Sequence, residues 1–144
     1  MYTYNYPRAA LTVDAIVYVK MGGSASVLLI ERGHEPFKNK WALPGGFIEM
    51  DETLETACKR ELLEETGLIV DKMTQFKTYD AINRDPRHRT ISVIYFAELN
   101  EKQPVKGGDD ASKAEWFPAT DLPELAFDHR QILNEFFDKI KKER

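Results

Sequence analysis

Residues 46 to 68 read GFIEMDETLETACKRELLEETGL, and no other stretch restricts the fold and chemistry of this chain so tightly. A glycine opens the segment, Glu52 follows, and Arg60, Glu61, Glu64 and Glu65 crowd together near its end. On a helix, Glu61, Glu64 and Glu65 stand at i, i+3 and i+4 and share one face. Like charges at that spacing destabilise an isolated helix by roughly 0.2–0.5 kcal/mol per pair. A chain that keeps such repulsion is expected to have a cation to offset it. The segment is therefore a candidate metal site.

It also has the marks of a helix. Thr53 suits the N-cap, Asp51 and Glu52 place negative charge near the positive end, and Gly67 suits the residue just past the last turn. At 100° per residue, Leu54, Cys58 and Leu62 form an apolar stripe spanning about 80°. Glu61 and Glu65 fall within or beside that stripe, whereas Glu55, Lys59 and Thr66 are expected on its far side. A solvated acidic face would oppose the stripe. Acids that flank it belong at the edge of a cleft.

These residues match the pattern G-x5-E-x7-R-E-U-x-E-E-x-G-U, where U is bulky and apolar. Gly46, Glu52, Arg60, Glu61, Leu62, Glu64, Glu65, Gly67 and Leu68 fill every specified position. The segment thus resembles the Nudix box, and the resemblance implies a hydrolase of nucleoside diphosphates linked to another group. It also implies the α/β Nudix fold, a mixed β-sheet sandwiched between helices (α/β/α). By the same resemblance Glu61, Glu64 and Glu65 are the expected metal ligands, with the Gly45 carbonyl as a further one.

The chemistry needs such residues. Anionic oxygens of a pyrophosphate repel an incoming nucleophile; divalent ions neutralise that charge, activate water and orient the phosphates. Carboxylate ligands favour hard ions, Mg²⁺ or Mn²⁺, over zinc. Arg60, adjacent to Glu61 and one turn before Glu64, is placed to orient a carboxylate through a bidentate contact, or else forms an ordinary surface ion pair. Glu52 is either an acid at the helix start or an outer member of the site. We take Glu64, Arg60 and Glu52 as the catalytic set. The box does not fix the general base.

Composition bounds the alternatives. A chain of 144 residues is expected to form one domain, spanning 1–144, with a core of its own. Twenty basic against 24 acidic residues leave a net charge of −4, which argues against a basic surface for nucleic acid or an anionic membrane. The single cysteine, Cys58, falls on the apolar stripe and is expected as a buried thiol. No charged-then-apolar leader opens the chain and no long apolar run occurs, so the expected compartment is the cytoplasm.

Along the chain, Leu11 to Lys20 and Ser26 to Glu31 read as paired strands around a Gly22-Gly23-Ser24 turn, which without a following GK[ST] is not a phosphate loop. Met73 to Ala81 and Thr90 to Leu99 read as two more strands. Gln103 to Lys113 reads as a loop, Ala114 to Phe117 as a short strand, and His129 to about Lys141 as a final helix. Asp128 is the expected N-cap, Phe127 and Ile132 the expected hydrophobic staple, and Ile132, Leu133, Phe136, Phe137 and Ile140 the buried face.

Outside the box, ERGHEPFKNKWALPGG, RDPRHR before TISVIYF, and GDDA followed by AEWFP and LAFDH resemble the ADP-ribose pyrophosphatase branch. That branch includes the Nudix domains of bifunctional nicotinamide-mononucleotide adenylyltransferases and of NrtR-type regulators. Arg84, Arg87 and Arg89 form a cluster suited to bidentate phosphate contacts, with a solvated loop as the alternative. Asp109 and Asp110 either approach the metals or form a polar turn. His129 either touches the ligand or is hydrogen-bonded to its surroundings. Tyr2, Tyr4 and Tyr6 stack on a base or pack at a dimer interface, and carry no site role.

Two functions follow as expectations. The first is metal-dependent hydrolysis of ADP-ribose to AMP and ribose 5-phosphate, or of another nucleotide such as a nucleoside triphosphate or dinucleoside polyphosphate. The second is a sensor that binds an ADP-ribose-like ligand without turnover. The complete set of box acids favours the enzyme, as does the absence of a winged-helix segment after the Nudix region. The expected partner is a small-molecule nucleotide, and the resemblance allows a homodimer.

Overall fold

The computed structural model describes residues 3–143. Strands β1 (Ala10–Met21) and β2 (Ser24–Arg32) form an antiparallel hairpin whose register runs from Tyr18 opposite Val27 to Met21 opposite Ser24. Along its other edge β1 runs parallel to β6 (Thr90–Leu99), from Ala10 opposite Thr90 to Val19 opposite Leu99. Strand β5 (Thr74–Tyr79) pairs antiparallel with β6. Strand β2 also holds β3 (Trp41–Ala42) and β7 (Ala111–Pro118). The sheet order is β3-β2-β1-β6-β5, with β4 (Gly45–Phe47) against β1 and β7 against β2.

One feature of this topology makes the cleft. Near Val27 the antiparallel neighbour of β1 is β2, but at Thr12 to Asp14 it is β4. The sheet therefore splays partway along β1, and the residues around Asp14 line the gap.

Two helices cover the sheet: α1 (Leu54–Thr66) on one face and α2 (His129–Lys142) on the other. The period-two alternation of strands explains how one sheet serves both. Val13, Ala15 and Val17 of β1 pack with Ala57, Cys58 and Leu62 of α1. Ile16 and Tyr18, pointing the other way, pack with Ile132, Leu133 and Phe136 of α2. Residues 13–19 of β1 are consequently buried almost without a break, as expected for a strand covered on both faces. Phe136 anchors the second layer, its ring 5.1 to 5.4 Å from those of Tyr18, Phe76, Phe96 and Phe137. Truncating it to alanine would cost about 3–5 kcal/mol.

The mixed sheet between helices is the expected architecture, and α1 begins and ends where its caps place it. The Thr53 hydroxyl accepts from the Thr56 N–H, and Gly67 adopts φ +76°, a conformation that glycine takes without penalty.

Four details differ from the sequence reading. Thr66, expected on the far side of the stripe, is buried: its hydroxyl donates to the Leu62 carbonyl at 2.7 Å and accepts from the Leu68 N–H. The loop before β7 folds over this end of α1, and the Lys106 N–H meets the Thr66 carbonyl. Strand β7 starts at Ala111, not Ala114, because pairing with β2 continues through an irregularity at Glu31/Arg32. Asp128 occupies the N-cap position of α2 without capping it, since Arg84 claims its carboxylate. The Phe127–Ile132 staple is not formed: Phe127 turns into the α1-side core at φ +53°, while Ile132 packs on the α2 side. Among the described residues, no helix is long and apolar enough to cross a membrane.

Candidate active site

The splayed sheet and the flank of α1 enclose a cleft of about 300 Å³. Its acidic side depends on two glycines. A side chain on Gly45 would run into the Val13 carbonyl and the Asp14 carboxylate, and one on Gly46 would lie 2.7–2.8 Å from the Glu61 carboxylate. Only a bare backbone lets β4 lie against β1 while α1 brings its acids alongside. The Gly45 N–H then donates to Glu65 Oε1 at 2.8 Å.

Arg60 is no ordinary surface ion pair. Its Nη2 and Nε donate to both oxygens of Glu52, at 2.6 and 3.0 Å. Its Nη1 reaches Glu61 at 2.9 Å and Glu64 at 3.1 Å. Glu52 also accepts from the Glu49 N–H, closing the turn that leads into α1. Arg60 thus gathers Glu52, Glu61 and the exposed Glu64, while Glu65 is held apart by the Gly45 N–H; of these acids Glu61 and Glu65 line the cleft and Glu64 does not.

Electrostatics shows strain in this group. Burial raises the Glu65 carboxyl to about 8 against the pull of the Gly45 N–H, and Glu61, Asp14 and Asp110 push it further up. Asp14 rises to about 7 through burial, opposed by Arg84 and reinforced by Asp128 and Glu61. Glu61 is raised as well, by burial first, against the lowering effect of Arg60. Among the described residues no three acid, histidine or cysteine side chains already converge in a coordinating arrangement. The donor set nevertheless fits a hard divalent cation. Its side chains offer only oxygen, and their shared negative charge is what such an ion relieves.

The other side of the cleft is cationic and aromatic. The guanidinium carbon of Arg87 lies 5.3 Å from the Phe47 ring centre and 5.8 Å from that of Phe127. Arg32 stacks on Phe127 at 5.1 Å, and Phe37 meets the same ring edge-on at 4.8 Å. Phe127 and Phe37 both hold positive φ, +53° and +60°. For a side chain of that size such a backbone costs about 1–3 kcal/mol and persists only where packing enforces it. Arg87 is tethered by Asp85 through Nε and Nη2 at 3.1 and 2.8 Å, whereas Arg32 donates to the Pro36 carbonyl. Burial, then the neighbouring Arg87 charge, lowers the Arg32 pKa. Two guanidiniums held this close favour an anion between them.

The loop arginines separate in space. Arg84 lines the cleft, but its side chain is only 4 % exposed and its donors go to Asp128 and Ser92. Arg87 lines it openly. Arg89 donates to the Asp80 and Ala81 carbonyls and is not among the lining residues. Asp110 lines the cleft and faces His34 at 3.3 Å, while Asp109 takes an exposed turn position at φ +51°. Tyr4 and Tyr6 are exposed, and Tyr2 lies outside the described residues.

His129 is buried at the floor, where Nδ1 accepts from the Leu43 N–H at 3.0 Å. Burial drives its pKa down to about 4, so the ring is neutral near pH 7.

Sequence reasoning missed Asp14, Arg32 and the site role of Phe127. Asp14 had a signal, a lone acid within the apolar run LTVDAIVY. Arg32 and Phe127 lie within stretches that resemble the ADP-ribose pyrophosphatase branch, but their places in the cleft depend on the path of the chain between strands.

The chain belongs to the Nudix family: the NUDIX domain model matches residues 9–138. It is 41% identical over 131 residues to the ADP-ribose pyrophosphatase of Methanocaldococcus jannaschii, covering 91% of this chain and 75% of that protein. It is 34% identical over 140 residues to an ADPR-responsive transcriptional repressor, NtrR, of Acinetobacter baylyi, covering 94% of this chain but 56% of the repressor. Among solved structures, the NUDIX domain of Shewanella oneidensis NrtR complexed with ADP ribose superposes with a TM-score of 0.87 at 32% identity, covering 94% of this chain and 90% of that one. A MutT/nudix family protein from Enterococcus faecalis gives 0.88 at 31% identity, covering 99% and 66%.

Proposed function

We propose that this chain hydrolyses the pyrophosphate bond of a nucleoside diphosphate joined to another group, with ADP-ribose, cleaved to AMP and ribose 5-phosphate, as the main substrate. The observation that carries the reading is the two-sided cleft, oxygen donors along α1 facing the guanidiniums of Arg32 and Arg87. A substrate with a diphosphate centre fits such a division. The likeness to an ADP-ribose pyrophosphatase and to an ADP-ribose-bound domain supports the choice of nucleotide.

In this reading Glu61, Glu64, Glu65 and the Gly45 carbonyl hold Mg²⁺ or Mn²⁺, which would neutralise phosphate oxygens and acidify water. Arg60 and Glu52 keep the ligand carboxylates in place, Arg60 by spanning Glu61 and Glu64. Arg87 and Arg32 take the phosphate oxygens left outside the acidic group, and Phe47 and Phe127 exclude water beside them. Arg84, with its donors engaged, stiffens the floor, and Arg89 secures the loop. Hydrolysis places the water oxygen on one phosphorus while the bridging oxygen leaves with the other. A cytoplasmic location and a homodimer built partly through the exposed Tyr4 and Tyr6 complete the proposal.

A substrate panel with Mg²⁺ and with Mn²⁺ tests it, using ADP-ribose, NADH, dinucleoside polyphosphates and nucleoside triphosphates. ADP-ribose should be the preferred substrate, and Glu64→Gln should abolish turnover. Cleavage of triphosphates but not ADP-ribose would leave the reaction and remove the substrate. The similarity to an ADPR-responsive repressor favours a second reading, binding without turnover. No cleavage together with a rise in melting temperature on adding ADP-ribose would select it.

A further inference from the structure

We propose that His129 is a positioning residue for the cation site, acting through the segment Leu43-Pro44-Gly45. The inference rests on the reading of Glu65 as a cation-facing carboxylate.

His129 lies at the start of α2, on the opposite side of the sheet from α1, yet its ring reaches the cleft floor. Nδ1 accepts from the Leu43 N–H, so that nitrogen carries no proton and the imidazole hydrogen resides on Nε2. Nε2 faces Asp14 Oδ2 at 3.9 Å. Leu43 is buried, the Pro44 carbonyl accepts from the Ala15 N–H at 2.8 Å, and the Gly45 N–H donates to Glu65 at 2.8 Å. The segment is therefore held at three successive residues: by α2 at Leu43, by β1 at Pro44 and by α1 at Gly45. Strand β3 ends at Ala42 and β4 begins at Gly45, so no ladder bond fixes Leu43. The imidazole supplies that missing acceptor. Without it, the backbone that orients Glu65 and presents the Gly45 carbonyl loses one of its supports.

Groups outside the ligand shell that orient it typically change metal affinity by about 10- to 100-fold when removed. Mn²⁺ titration of the whole chain, followed by electron paramagnetic resonance, provides a readout independent of turnover. Asparagine places an oxygen near the position of Nδ1, whereas glutamine extends toward Nε2 and leaves Leu43 without an acceptor. His129→Asn should bind Mn²⁺ within about threefold of the parent, and His129→Gln should weaken binding at least about tenfold. Exchange of the Leu43 amide hydrogen should quicken in His129→Gln and not in His129→Asn. Each variant's melting temperature is recorded, so that binding is compared among folded proteins. Glu65→Gln serves as the reference. If it leaves Mn²⁺ affinity intact, the cation-site reading itself fails. If it weakens binding while His129→Gln does not, or if His129→Asn is as weak as His129→Gln, the positioning role is overturned alone.

Discussion

Arg84 and Asp128 meet in a two-pronged ion pair, Nη2 to Oδ1 at 2.7 Å and Nε to Oδ2 at 2.9 Å. It ties the loop before β6 to the residue just before α2. The remaining Nη1 of Arg84 donates to Ser92 at 2.6 Å, and Ser92 in turn contacts Thr12 of β1. A polar chain thus crosses the base of the cleft from one helix to the centre of the sheet.

Asp128→Ala leaves that guanidinium buried without its partner. Losing one member of a buried pair costs about 3–5 kcal/mol, and the lower end applies because Asp128 keeps some solvent contact. Chemical denaturation should show a loss near 3 kcal/mol, and the double variant Arg84→Met/Asp128→Leu should recover part of it. A loss below about 1 kcal/mol, the scale of a surface pair, would show the bridge to be ornamental.

Gly46→Ala sets a methyl group against the Glu61 carboxylate, where a Cβ would lie 2.7–2.8 Å away. The acid is the end of a flexible chain and can swing aside, so stability should change little. Turnover should fall at least about tenfold, since one misplaced group commonly costs that much or more. Gly67→Ala is the complementary case: its φ of +76° meets open space, so about 1 kcal/mol of stability is lost and activity is kept. Assay and melting curve on both variants decide the point, and equal activities would refute it.

Arg32→Ala removes a guanidinium that stacks on Phe127 and accompanies Arg87. KM for ADP-ribose should rise roughly tenfold, the loss of one charge-assisted contact of about 1.5 kcal/mol. Arg32→Lys should recover only part, because an ammonium neither stacks nor forks as a guanidinium does. An unchanged KM in both would remove Arg32 from the substrate path.

On the face away from the cleft, Glu135 accepts from the Tyr79 hydroxyl at 2.6 Å, from Lys77 at 2.9 Å and from Gln131 at 3.1 Å. These donors, Tyr79 foremost, lower its pKa from 4.5 to about 2. A carboxyl depressed on folding stabilises the fold above its unfolded pKa, and that stabilisation is lost as pH falls from about 4.5 toward 2. Tyr79→Phe should move the Glu135 titration, followed by NMR, upward and shrink the acid sensitivity of stability in that window. An unmoved titration would assign the depression to Lys77 instead.

Much of α1 is legible in the amino-acid order. Its caps, its buried Cys58 and Leu62 and its crowded acids are all local, decided by residues within a few positions of one another. The alternation in β1 and β2 and the apolar face of α2 are local in the same sense. Thr66 was misplaced because its burial comes from a loop forty residues downstream that folds onto the helix end. Asp128 looked like a cap by its neighbours alone, and a distant arginine changed its role.

What the amino-acid order determined by itself is therefore the family and the helix that carries the acids, since fixed spacing along one continuous segment suffices for both. Only the tertiary structure decided what faces those acids. Asp14, Arg32, Phe127 and His129 come from separate elements, and their sides of the cleft follow from strand pairing. No periodicity along the chain encodes the moment where β1 exchanges β2 for β4, and that exchange is what opens the site.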